Sequence, residues 1–310
     1  MTKTKHKQSI IEEYLASAKP GKELPPQANY LLMLYHYSNG EYRQSLEELV
    51  RAIKKEGQRW DFYQDLVYLG KKTKDFKPVY SELESAMDKY KDNHNLHSYL
   101  GLAYLLDNKL SEAVDQFQKA ISLNDDFGMA HFYLGIAYLE CMCASNSDKE
   151  RNSLLNSLMH QELSKANESK CVCSDKFASG MNLLGQSKHQ VALEEFKHAL
   201  EEELSVDLVF GRFEEVVLSF FIAPQAVNYE KIQQAIEELD KRTIQPEDMR
   251  VSNRLGIAYL LFFKLLFSEA KNCFEQARTI APKFHEPTRN LKFLKDEEKE
   301  FSSLFEFLKF

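Results

Sequence analysis

Residues 99–104 read YLGLAY, residues 133–138 read YLGIAY, and LGIAY returns at 255–259. The first two copies stand at a 34-residue spacing, so Leu100, Gly101, Ala103 and Tyr104 align with Leu134, Gly135, Ala137 and Tyr138. A recurrence of this length marks a chain built from stacked supersecondary units. Downstream of Leu100 the unit continues with Ala113, Phe117 and Ala120. Small residues alternate with large apolar ones at helical spacing, as two closely packed antiparallel helices require.

In a 34-residue unit beginning at His94 these residues occupy positions 7, 8, 11, 20, 24 and 27. Here the chain resembles the tetratricopeptide repeat family, which places small and large apolar residues at those positions. A small residue at position 8 lets helix B approach helix A. Small residues at 20 and 27 let B meet its own A and the next one. The register runs back without a gap. Residues 26–59 supply Leu32, Gly40, Tyr42, Ser45, Leu49 and Ala52, and residues 60–93 supply Leu66, Phe76, Val79, Leu83 and Ala86.

The resemblance implies an all-α superhelix, an α-solenoid of about seven helix–turn–helix repeats with a C-terminal capping helix. Residues 1–25 are expected to form an N-terminal helix and a linker, and 26–127 three regular repeats. Residues 128–206 are expected to hold two repeats with an insertion near 141–153, so that helix B of repeat four (Met159, Leu163, Ala166) arrives about twelve residues late. Residues 207–284 give a degenerate repeat and a final one, in which Leu255, Gly256 and Tyr259 belong to helix A and Ala270, Phe274 and Ala277 to helix B. That last A–B turn is expected to carry about two extra residues. The stretch 285–310, with Phe301, Leu304, Phe305 and Leu308 on one stripe, reads as the cap.

Composition agrees. The 310 residues include only 11 Gly and 8 Pro, which favours helices joined by short turns. Net charge is −7 and no basic stripe is present, which argues against a nucleic-acid partner. No secretory leader and no apolar run of membrane-spanning length is visible. A cytoplasmic location is the expectation.

Little catalytic chemistry is written here. There is no phosphate-cradling Gly loop, no Gly-x-Ser-x-Gly and no His-Glu-x-x-His, so neither enzymatic activity nor a cofactor is expected. His94 and His97 read as one surface and one packing histidine. Glu194/Glu195 and Glu201–Glu203 read as solvated faces. Cys141/Cys143 and Cys171/Cys173 form two Cys-x-Cys pairs that together have the thiolates for one zinc. A helix B over 154–168 would hold the pairs about 20 Å apart, too far for a shared ion, so no metal site is expected. Cys273, beside Phe274, suits a buried thiol.

The resemblance also assigns an inner wall, at positions 2, 5, 9 and 12 of each helix A. Read off here, it offers Tyr30, Leu34, Tyr37, Tyr68, Leu102, Leu105, Phe132, Ile136 and Leu139 as a partner-binding groove. An apolar concave surface of that extent needs an occupant. It is expected to be a protein or peptide carrying an apolar or amphipathic segment, or else a segment of the same chain. Members that grip heat-shock-protein tails use Lys, Asn and Arg where this chain has Tyr30, Leu34, Asp65, Asn95 and Tyr99, so that carboxylate clamp is not expected. The functional expectation is a non-catalytic protein-interaction scaffold. The alternatives are a self-assembling array, in which the groove or the C-terminal helix pairs with another copy, and a thiolate metal-binding protein.

Overall fold

The computed structural model describes residues 24–144, 149–169, 175–205, 213, 216–219, 227–240 and 249–280, with 288, 290–292 and 294–295. The expected N-terminal helix, Cys171 and Cys173, and nearly all of the expected cap lie outside the described residues. The chain divides into two compact units at Gly211/Arg212.

The first unit is a run of antiparallel helical hairpins. They are α1 (Pro26–Ser38) with α2 (Tyr42–Lys55), α3 (Trp60–Thr73) with α4 (Lys77–Lys89), α5 (His94–Leu106) with α6 (Leu110–Leu123), α7 (Gly128–Ala144) with α8 (Lys149–Glu168), and α9 (Asp175–Gly185) with α10 (His189–Leu204). Helices α1, α3, α5 and α7 begin at 26, 60, 94 and 128, a constant 34-residue step. The architecture is an all-α solenoid of tetratricopeptide-like hairpins, with no strand among the described residues.

The sequence dictates where these helices start and stop. Pro26 sits in the first turn of α1, where its missing N–H costs nothing. Asn93 caps α5, its side chain accepting from the backbone N–H groups of Asn95 and Leu96 at 2.9 and 3.2 Å. Four of the turns that reverse the chain inside a hairpin use a left-handed residue: Gly40 (φ 76°), Lys74 (φ 56°), Asn108 (φ 60°) and Ser187 (φ 58°).

The two helix types bury different amounts. On α6 only Ala113, Phe117 and Ala120 are buried, one stripe of an amphipathic helix. On its partner α5, Leu96 and Ser98–Ala103 are buried, together with Leu105. The A helices are therefore an inner layer, covered on more than one side. Where A meets B, glycine is required. A Cβ at Gly101 would lie 2.7 Å from the Phe117 ring, at Gly135 2.6 Å from Leu163, and at Gly180 2.6 Å from Phe196.

The insertion expected near 141–153 is absorbed mostly by helix. α7 and α8 run to 17 and 20 residues, against 13 and 14 for α5 and α6. No Gly or Pro interrupts 141–158, so the extra residues lengthen both arms. A buried polar node joins these arms. His131 Nε2 donates to the Asp125 carbonyl at 2.8 Å, while Nδ1 faces the Glu162 carboxylate.

In the second unit, α11 (Tyr229–Asp240) lies where helix B of repeat six is expected, and it packs on α12 (Met249–Ile280). α12 corrects the reading of repeat seven. It is one unbroken helix of 32 residues, not a hairpin with an enlarged turn. The local sequence agrees: residues 260–267, LLFFKLLF, hold no helix-breaking Gly or Pro, and Leu and Lys favour continuation of the helix. Cys273 is accordingly exposed, not buried as its position suggested. Among the described residues no helix is long and apolar enough to cross a membrane.

Candidate functional site

The expected wall is built from α1, α3, α5 and α7, and most of its side chains are not open to solvent. Leu102, Phe132, Ile136 and Leu139 are 0% exposed, Tyr30 2%, Tyr68 3%, and Leu34 and Leu105 5%. Only Tyr37 is half-buried. Its hydroxyl lies 3.4 Å from that of Tyr68, and burial pushes its phenol pKa well up. An open groove on these residues is therefore corrected to a covered one.

Two kinds of contact cover it. The first is between neighbouring A helices. Tyr30 on α1 stacks on Phe62 of α3 with ring centroids 4.6 Å apart, and its hydroxyl donates to buried Asp65 at 2.6 Å. The second comes from hairpin five. α10 packs on α7 and reaches across to α3. Its Phe196, with Phe177 of α9, sits against Phe132 at 6.3 and 5.4 Å. Ala192, Leu193, Phe196, Ala199, Leu200 and Leu204 are the buried apolar residues of α10.

Charge fastens the far end. Glu201 receives Lys71 at 2.6 Å and Lys72 at 2.9 Å. Gln64 Nε2 donates to the Glu203 carbonyl at 2.8 Å. Gln64, Tyr68 and Lys71 are positions 5, 9 and 12 of repeat two, so α10 occupies the inner face itself. The hydrogen bond from Lys71, joined by Lys72, holds the Glu201 carboxyl down at about 2, against the opposing effect of burial. On the α7 side Lys197 pairs with Glu140 at 2.9 Å. The acidic run at 201–203 is thus solvated only at Glu202: Glu203 is buried and Glu201 is ion-paired, which corrects the reading of those two. Sequence spacing held no sign of this, since the partners are 130 residues apart.

The remaining candidates separate. His94 lies edge-on to Phe127 at 4.8 Å, whereas His97 Nδ1 meets Gln116 at 2.9 Å, so the two rings serve different contacts. Cys141 and Cys143 end α7, where burial pushes both thiols up, away from the thiolate a metal needs. The helix that follows, α8, is 20 residues and about 30 Å long. No group of three or more potential metal ligands occurs among the described residues. Beside Cys143, the lengthened hairpin and the α9–α10 turn border a shallow, open cleft of about 730 Å³, lined also by Met142, Asn156 and His189.

No family model matches the chain, and no curated relative matches it. Solved structures that resemble it are helical-repeat proteins. MamA (residue 41 to the end) from Desulfovibrio magneticus RS-1 is 17% identical, over 46% of this chain and 76% of its own, at a TM-score of 0.35. TTC0263, a thermophilic tetratricopeptide repeat protein of Thermus thermophilus, is 15% identical over 76% of this chain and 99% of its own, at 0.35. Yeast Tom70 is 16% identical over 94% of this chain, which spans 58% of that structure, at 0.37. The class is set by the chain's own hairpins: an all-α, tetratricopeptide-like solenoid.

Proposed function

We propose that this chain is a non-catalytic protein-interaction scaffold, cytoplasmic, whose inner face takes an amphipathic helix with an acidic end. The observation that carries the reading is α10. This internal helix lies on the faces of α3 and α7 and sets a Phe/Ala/Leu stripe against Phe132 and a carboxylate against Lys71 and Lys72. A partner helix of the same kind would compete with α10, and burial of its aromatic and aliphatic anchors would supply most of the affinity.

The test uses a fluorescein-labelled peptide of residues 189–204 as the probe, with anisotropy as the readout. The full chain should bind it weakly and saturably. A Glu201→Lys chain, whose own α10 is loosened, should bind it more tightly, and adding Lys71→Glu and Lys72→Glu should remove that gain. If neither the wild-type chain nor the Glu201→Lys chain binds the peptide, the reading is wrong.

A further inference from the structure

Lys197 and Glu201 stand four residues apart on α10, so they share one face of that helix. Opposite charges at this spacing are placed to pair with each other. Here they part: Lys197 reaches Glu140 of α7 at 2.9 Å, and Glu201 receives Lys71 and Lys72 of α3 at 2.6 and 2.9 Å. Beside them Phe196, Ala199 and Leu200 are buried, with Phe196 against Phe132 of α7.

The wall beneath α10 is therefore charged in opposite senses at two places. One is a carboxylate towards the C-terminal end of α7; the other is a pair of ammoniums in the last turn of α3. The Glu140 side chain is 16% exposed, and those of Lys71 and Lys72 are 34% and 29%, so each is partly desolvated. Gln64 of α3 also donates to the Glu203 carbonyl, which fixes the C-terminal end of α10 over α3. Along the axis of α10 the two charged contacts are about 6 Å apart. A helix lying the other way would bring its acid to Glu140 and its base to Lys71 and Lys72, and like charges would meet at both places.

We propose that the inner face selects the direction of a bound helix by charge, with Glu140 and the Lys71/Lys72 pair as its specificity-determining residues. The proposal rests on the reading of α10 as the occupant that a partner helix replaces, and adds that partner's polarity. The partner helix carries an aromatic residue followed directly by a base, then, four residues after the aromatic one, an aliphatic residue followed directly by an acid. In α10 these are Phe196, Lys197, Leu200 and Glu201. The base lies on the N-terminal side. The aromatic and aliphatic anchors supply affinity and are blind to the order of the charges; repulsion at Glu140 and at Lys71/Lys72 rejects the opposite order.

The test compares two labelled peptides of residues 189–204: the native one, and one carrying Lys197→Glu with Glu201→Lys. Their composition and net charge are the same. An acid four residues ahead of a base is the better order within a helix, so the swapped peptide loses no helicity. The receiving protein is the full chain with Lys197→Gln and Glu201→Gln, which frees the charges of the wall without adding any. By anisotropy the swapped peptide should bind about tenfold more weakly than the native one. Adding Glu140→Lys, Lys71→Glu and Lys72→Glu to the receiving chain should reverse that preference. Glu140→Gln, a milder change for the case in which the reversed wall does not fold, should narrow the preference to about threefold. Equal binding of the two peptides overturns the proposal and leaves the groove reading standing, as does a preference that Glu140→Gln does not narrow. Binding of neither peptide, to this chain or to the Glu201→Lys chain, overturns both.

Discussion

Hairpin α5–α6 and helix α12 carry the same phrase and do different things with it. In the hairpin, Gly101 lies under Phe117, and the chain reverses through Asp107, Asn108 and Lys109 with Asn108 at φ 60°. In α12, no described residue lies within 4 Å of where a Gly256 Cβ would stand, and the chain passes through Leu265 and Leu266 without reversing. Apolar spacing decides which face of a helix needs covering. Turn chemistry decides whether the same chain comes back to cover it.

The widest separation should come from truncating the covering residue. Phe117→Ala empties a site with 0% exposure and should cost about 3–5 kcal/mol in urea unfolding. Phe274→Ala should cost less than about 1 kcal/mol. Equal losses would mean that α12 closes on itself.

Filling the glycine reverses the sign. Gly135→Leu has to displace Leu163, 2.6 Å from the first added atom, and should cost about 1–3 kcal/mol. Gly256→Leu replaces an open helical glycine and should raise helix stability by up to about 0.8 kcal/mol. Thermal melts followed by circular dichroism distinguish the two directions. Asn108→Val then tests the turn alone. A β-branched residue in a left-handed turn should cost about 1–2 kcal/mol, with no change in the Gly101–Phe117 contact.

The smallest effect belongs to the fastening of α10. Glu201→Gln should lose no more than about 1 kcal/mol at neutral pH, since both partners are partly solvated. Its sign with pH follows from the depressed carboxyl. The stabilisation is fully present above the ordinary glutamate range near 4.5 and fades as pH falls towards about 2. Wild type and Glu201→Gln should therefore converge in stability near pH 2. A gap that persists there would assign the loss to packing of α10 and not to charge.

The hairpin fold was legible because its cause is local. Starts at 26, 60, 94 and 128 follow from a 34-residue pattern, and Gly101 under Phe117 follows from positions close in the chain. Two features were not legible on that pattern. The length of α12 goes with a run between Leu260 and Phe267 that holds no helix-breaking Gly or Pro, which an apolar register does not weigh. The cover over Phe132 depends on where hairpin five lies, and its fastening pairs Lys71 with Glu201. Glu201 read as part of a solvated run and Lys71 as a wall position, and nothing within a repeat's length of either identifies the other. The wall could be assigned to the A helices from spacing; what lies on it could not.

That long-range pairing also bears on how the first unit folds. In an open array each repeat meets only its neighbours, so stability adds along the chain and the end frays first. α10 instead reaches back to α3, with hydrogen bonds spanning 130 and 139 residues of sequence. Loop closure of that length costs roughly 2 kcal/mol more than closing the loop of a single hairpin, because the entropy grows only with the logarithm of length. The penalty falls late, after the local hairpins have formed, and puts α10 docking among the last events on the folding pathway. Once made, the clasp converts a sum of nearest-neighbour terms into a closed unit. Hairpins two to five should then unfold together, and clipping the chain between 169 and 175 should speed their loss far more than a cut in any B–A loop of an unclasped stack.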